Sequence, residues 1–112
     1  MRKEIGKIQA ISLGYGGYQD AMFGLSVTLG SKKECWGVGD FKGTWGIDTK
    51  VTEHTKWTEE ERQKIFAETM VFLNEIMRKA KVNTLDKLEG IPVEVTFDGN
   101  TLKDWRILEE VI

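Results

Sequence analysis

One cysteine, one histidine and one proline occur in 112 residues. A lone cysteine, Cys35, excludes an internal disulfide and a cysteine metal cluster, and it suits a reducing compartment. Cys35 and the lone His54 show neither the spacing nor the third, orienting group of a nucleophilic dyad. They read as a half-buried small apolar side chain and a loop histidine. An excess of charge of one sign is also missing: 16 Lys and Arg face 18 Asp and Glu, for a net charge of −2. That balance removes the electrostatic footprint of a protein that grips long nucleic acid. No apolar run approaches the roughly 18 residues of a membrane span, and Met1–Ile11 has no apolar core of the signal-peptide kind. Expected, then, is a cytoplasmic protein with no membrane partner, no metal and no cofactor.

What is present is a chain of 40% hydrophobic residues, ordinary for one compact domain spanning 1–112. Nine of the 12 glycines and six of the 11 aromatic residues fall between Gly14 and Gly46, whereas Thr58–Lys81 has no Gly and no Pro. The first stretch reads as strands and tight turns, the second as a helix.

Glu4–Leu13 has an imperfect alternation of Ile5, Ile8, Ile11 and Leu13, which suits a strand with a bulge. In Ala21–Leu29, Phe23, Leu25, Val27 and Leu29 share one parity. Gly30–Lys33 makes a hairpin turn into Glu34–Phe41, and connections this short imply antiparallel neighbours. Thr58 and Glu61 form a capping box ahead of a stripe of Ile65, Phe66, Thr69, Met70, Leu73, Ile76, Met77 and Ala80. Asn83-Thr84 can cap a short second helix through Leu88. Pro92–Phe97 and Leu102–Ile112 read as a second hairpin around Asp98-Gly99-Asn100-Thr101, with Trp105, Ile107 and Val111 on one face. The expected fold is α+β: an antiparallel sheet of three N-terminal strands plus a C-terminal hairpin, packed on one long and one short helix. Leu25, Val27, Ile65, Met70, Leu73, Ile76, Val95 and Ile107 are its expected core.

Catalytic signatures are scarce, and the reading is of a protein that is not an enzyme. Asp20 and Asp40 both sit beside turns and could face one cleft, whereas Glu59-Glu60-Glu61 reads as a helix start. Three features could instead hold a ligand. In Gly14-Tyr15-Gly16-Gly17-Tyr18-Gln19-Asp20, three glycines within four residues let a ligand approach the backbone; the alternative is a flexible turn with two surface tyrosines. In Trp36-Gly37-Val38-Gly39-Asp40-Phe41-Lys42-Gly43-Thr44-Trp45-Gly46, small residues space large rings apart, leaving gaps for a flat base; the alternative is a glycine-bent strand whose rings fill the core. Arg106 stands mid-strand, where a guanidinium fork suits a phosphate, or else pairs with Glu94 across the hairpin. Arg2, Arg62 and Arg78 read as terminus or solvated helix face.

With Gly14-Tyr15-Gly16-Gly17-Tyr18-Gln19-Asp20-Ala21, Trp36-Gly37-Val38-Gly39-Asp40-Phe41 and Gly99-Asn100-Thr101-Leu102-Lys103-x-Trp105-Arg106-Ile107-Leu108, the chain resembles a group of small phage and prophage proteins. Within that group it is most similar to the Thoeris anti-defence 1 sponge family. The resemblance implies an antiparallel sheet followed by helices, assembly as dimers or hexamers, and sequestration of cyclic ADP-ribose isomers made by bacterial TIR-domain defence proteins. It also implies residence in the host cytoplasm. For such a ligand Arg106 would clamp a phosphate, the Gly14–Gly17 turn, with Tyr15, Gly16 and Gly17, would lend backbone N–H groups, and Phe41, Trp45 or Tyr18 would sandwich the base. Lys42 adds charge, and Asn100 and Thr101 read the ribose or a base edge. The partners expected are a cyclic nucleotide signal and a second copy of the chain; the alternative is an inhibitor that binds a host nuclease or DNA-processing factor.

Overall fold

The structure is a computed structural model that describes all residues 1–112. Five antiparallel strands form one sheet: β1 (Arg2–Gly16), β2 (Met22–Ser31), β3 (Trp36–Trp45), β4 (Pro92–Asp98) and β5 (Thr101–Ile107), in the spatial order β3-β2-β1-β4-β5. One helix, α1 (Glu59–Ala80), separates β3 from β4, and Leu85–Leu88 makes a single 3-10 turn. The expected α+β class and element order are both present.

β1 joins the two halves of the sheet. Its first six residues pair with β4, from Arg2 opposite Phe97 to Lys7 opposite Pro92, and Lys7–Gly16 pair with β2. The register slips between Ile8 and Ala10, so Gln9 bulges where β1 changes partner. A bulge bends its strand and increases the local twist, and here it curls the sheet. The curl is strong enough to bring the two edge strands together: the Trp105 indole N–H on β5 donates to Asp40 Oδ2 on β3 at 2.8 Å. Trp36 of β3 likewise meets Phe97 of β4 edge to face, with centroids 5.6 Å apart.

The inner face of this curled sheet carries Ile8, Leu25, Val27, Leu29, Val93, Val95, Phe97, Trp105 and Ile107, all buried. α1 closes the face, packing on β3, β2 and β5. The helix starts where the sequence predicts, with Thr58 Oγ1 accepting from the Glu61 N–H at 3.1 Å, and ends on Lys81 in the left-handed region at φ +59°.

Three expectations about packing change. Met70 is 44% exposed, whereas Thr69, Ile76 and Ala80 are buried and Phe72 and Leu73 pack half-buried against the core. The apolar stripe is therefore rotated away from Met70 and toward Phe72, because the curled sheet reaches the helix from the Phe72 side. Ile65 is half-buried. β5 ends at Ile107, the last residue with a partner on β4. Leu108 then turns inward and is buried, while Val111 is exposed in a short 3-10 turn.

Candidate functional site

The outer face of the sheet has no covering layer. Pairing places Gly14 opposite Gly24 and Gly24 opposite Gly43, so three glycines line up across β1, β2 and β3. One row beyond them stand Gly16, Met22 and Trp45, and one row below stand Ser12, Ser26 and Phe41. Alternate residues of a strand share a face at about 6.8 Å spacing, so the glycines form the floor of a trench roughly 13 Å wide between the Trp45 and Phe41 positions. Gly24 and Gly43 are glycine for a packing reason: a Cβ on either would come within 2.3 Å of backbone oxygen on the opposite strand. Gly14 has no such reason, since a Cβ there would meet nothing within 4 Å. The trench is thus longer than strand packing requires.

At the trench end nearest Trp45, Gly17 (φ +67°) leads into a tight 3-10 turn, Tyr18–Asp20, that returns the chain to β2. Gln19 and Asp20 also occupy the left-handed region, so this segment is a defined turn. It presents Tyr18, 67% exposed, edge-on to Trp45 with centroids 6.5 Å apart.

Of the residues expected at a ligand site, the structure gathers Gly16, Gly17, Tyr18, Phe41 and Trp45 on or beside this trench. Tyr15 belongs to the inner face, where it begins a ladder of rings through Phe23 (5.3 Å) to Phe66 (6.1 Å) and lies against Gly46. Lys42 also points to the inner side, its ammonium 4.6 Å from the centre of the Phe72 ring. Asn100 and Thr101 are exposed at the β4–β5 tip, outside the trench.

Arg106 takes the competing assignment. Its Nε donates to Glu94 at 3.1 Å, and its two terminal nitrogens donate to Glu110 at 3.1 and 2.9 Å. Those hydrogen bonds, Glu110 first, push the guanidinium pKa further up, and the same contact holds the Glu110 carboxyl below its usual range. Glu94 and Glu110 take three of its five N–H donors, so two carboxylates compete with a phosphate at this fork.

Arg62, read as a solvated helix residue, is only 4% exposed. It donates to the carbonyls of Gly46 (2.7 Å) and Thr49 (2.6 Å), takes a bidentate grip on Glu59, and stacks 4.9 Å from the Trp57 ring centre. Its hydrogen bonds lower the Glu59 pKa. This clasp fixes the β3–α1 connection below Trp45. A signal for it existed: Arg62, Thr69 and Ile76 are seven residues apart, on one line of the helix.

Sequence reading also passed over a groove of about 700 Å³ at the other end of the β1–β2 ladder, lined by Lys7, Gln9, Gly30, Lys32, Lys33 and Glu89 among others. Lys7 is on the outer face opposite Gly30, which in turn pairs with Gly37. Three ammonium groups against one carboxylate give this groove a cationic character. Lys7 and Glu89 are far from Lys32 and Lys33 in sequence, and only the fold brings them to one groove.

The remaining candidates stand apart. Asp40 accepts from Trp105, and Asp20 lies in the Tyr18–Asp20 turn, so the two acids do not converge on one cleft. Cys35 is exposed in the β2–β3 turn, and His54 is exposed beside Glu53 in the loop after β3. The ten-residue length of β3 separates them. No helix is long and apolar enough to cross a membrane. No family model, curated protein or solved structure matches the chain.

Proposed function

We propose that this protein is a phage anti-defence sponge that binds a cyclic ADP-ribose-type signalling nucleotide and holds it without cleavage. The observation that carries the reading is the glycine-floored trench between Trp45 and Phe41. A planar base can lie against the half-buried Gly14 or Gly43 there and meet an aromatic wall, a contact worth about 1–3 kcal/mol per base in nucleic-acid complexes. Ser12 and Ser26, on the Phe41 side, offer hydroxyls that both donate and accept, which suits ribose. Cys35, in the β2–β3 turn, and His54, in the loop after β3, stand away from the trench.

Calorimetry with cyclic ADP-ribose isomers tests this directly. Wild type should release heat on binding, and heating the complex should return the nucleotide unaltered. Trp45→Ala should weaken binding roughly 5- to 150-fold, the equivalent of one lost stacking contact. Altered nucleotide after heating would mean an enzyme. No heat with any isomer would reject the sponge and favour the second reading, an inhibitor that docks on a host protein. The exposed Tyr18, edge-on to Trp45, supports that alternative, since exposed apolar side chains mark protein contacts.

A further inference from the structure

The second half of β1 has a strand on one side only. Ile8 spends its backbone groups away from β2: its N–H donates to the Ile91 carbonyl at 3.0 Å, and its carbonyl accepts from the Gly90 N–H at 2.8 Å. The extra residue at Gln9 shifts the alternation by one, so Ile11, Leu13 and Tyr15 direct their groups the same way. β4 pairs with β1 only as far as Lys7, and no hydrogen bond meets the outward groups of these three residues. Folded proteins blunt such edges with proline, lysine or an inward charge. Gln9–Gly16 has no proline and no charge.

A groove follows this edge on the inner face of the sheet. Leu13 is 38% and Tyr15 57% exposed, although both point to the core side. The other wall is α1, which packs on β3, β2 and β5 and stands beside β1. The ladder of Tyr15, Phe23 and Phe66 fixes which flank of the helix faces β1. Met70, Leu73 and Met77 follow Phe66 on that flank at three- and four-residue spacing. The charged residues between Gln63 and Met77 are Lys64, Glu68 and Glu75, and all lie on other sides of the helix. Both walls are therefore apolar and free of charge.

We propose that this edge accepts an extended, uncharged segment of a partner protein as an added strand. The open ladder selects a strand, because only extended backbone offers donors and acceptors at the spacing of about 6.8 Å on which Ile11, Leu13 and Tyr15 repeat. The uncharged walls select apolar side chains on the face toward α1, since a charge buried there would have no partner. Met70 and Met77 can reshape around different side chains. A second copy of β1 fits less well, because its strand continues at both ends. With Leu13 on a two-fold axis, the Tyr18–Asp20 turn of one copy falls near Ile8 of the other, whose outward groups Gly90 and Ile91 already hold. A free segment of about five residues, opposite Ile11–Tyr15, meets no such obstacle. The inference goes beyond the nucleotide reading and does not depend on it.

Amide exchange followed by NMR tests the pairing residue by residue, with the blocked peptide Thr-Val-Thr-Val-Thr-Val-Thr as probe. In the free protein the Ile11, Leu13 and Tyr15 amides should exchange fast, and those of Ser12 and Gly14, paired to β2, slowly. At a peptide concentration about ten times its Kd, the three fast amides should slow about tenfold. Leu13→Lys places an inward charge on the edge and should abolish the slowing at Ile11 and Tyr15, with an unchanged circular dichroism spectrum. Should that variant lose its fold, Met70→Lys on the opposite wall, at an exposed position, should weaken peptide binding about tenfold or more. No slowing at millimolar peptide overturns the proposal, as does slowing that survives a folded Leu13→Lys or Met70→Lys. Slow exchange of the three amides without peptide, at a mass of twice 12.8 kDa, gives the edge to a second copy and also overturns it.

Discussion

Arg62 and Arg106 show why residue type alone did not locate the cation that matters. Both guanidiniums are held by carboxylates, but Arg62 at 4% exposure ties a loop to a helix, whereas Arg106 at 48% trims a sheet edge. Sequence placed Arg106 correctly on a strand and named Glu94 as its competing partner. It could not see Glu110, which comes within reach only because the last strand stops at Ile107. The Arg62 clasp predicts a local effect. Arg62→Gln deletes two contacts to loop carbonyls at 2.6 and 2.7 Å and the grip on Glu59. Amide exchange in residues 46–57 should accelerate roughly tenfold or more, while the core strands keep their protection. Because Glu59 has a lowered pKa in the fold, its share of the clasp is present above the ordinary carboxylate range and fades as pH falls through that lowered value. Unchanged exchange in 46–57 would mean that the loop is held by other contacts.

At the scale of elements, the strands and the helix were legible because their periods are clean. Phe23, Leu25, Val27 and Leu29 share a face as their alternation requires, and Thr58 caps the helix with the hydrogen bond expected of it. What periodicity omits is curvature. The bulge at Gln9 shows in the sequence only as a broken alternation, yet it decides that β3 and β5 meet through Asp40 and Trp105. That meeting turns the helix stripe toward Phe72, whose ring packs edge-on to Trp105 at 5.7 Å. Ile76 and Met70 separate the two versions of the stripe. Ile76→Ala should cost about 2–5 kcal/mol in denaturant unfolding, since the side chain is 5% exposed in the main core cluster. Met70→Ala, at a position 44% exposed, should stay within about 0.5 kcal/mol of wild type. Equal losses at the two positions would return the helix to the orientation that its sequence alone suggests.

For the whole molecule, aromatic and cationic surfaces lie at different ends of one sheet face, too far apart for one small nucleotide. Sequence supplied each surface in part: the glycine-spaced rings of β3 were visible, whereas the Gly14–Gly24–Gly43 alignment and its relation to Lys7 exist only once strands are in register. Trp45→Ala and Lys7→Ala tell the two surfaces apart. Trp45→Ala should weaken nucleotide binding roughly 5- to 150-fold in calorimetry, the equivalent of one lost stacking contact, whereas Lys7→Ala, at the other end of the β1–β2 ladder, should leave the affinity of the trench unchanged. An equal loss at Lys7 would mean that one ligand reaches both surfaces, and no loss at Trp45 would take the nucleotide off the trench.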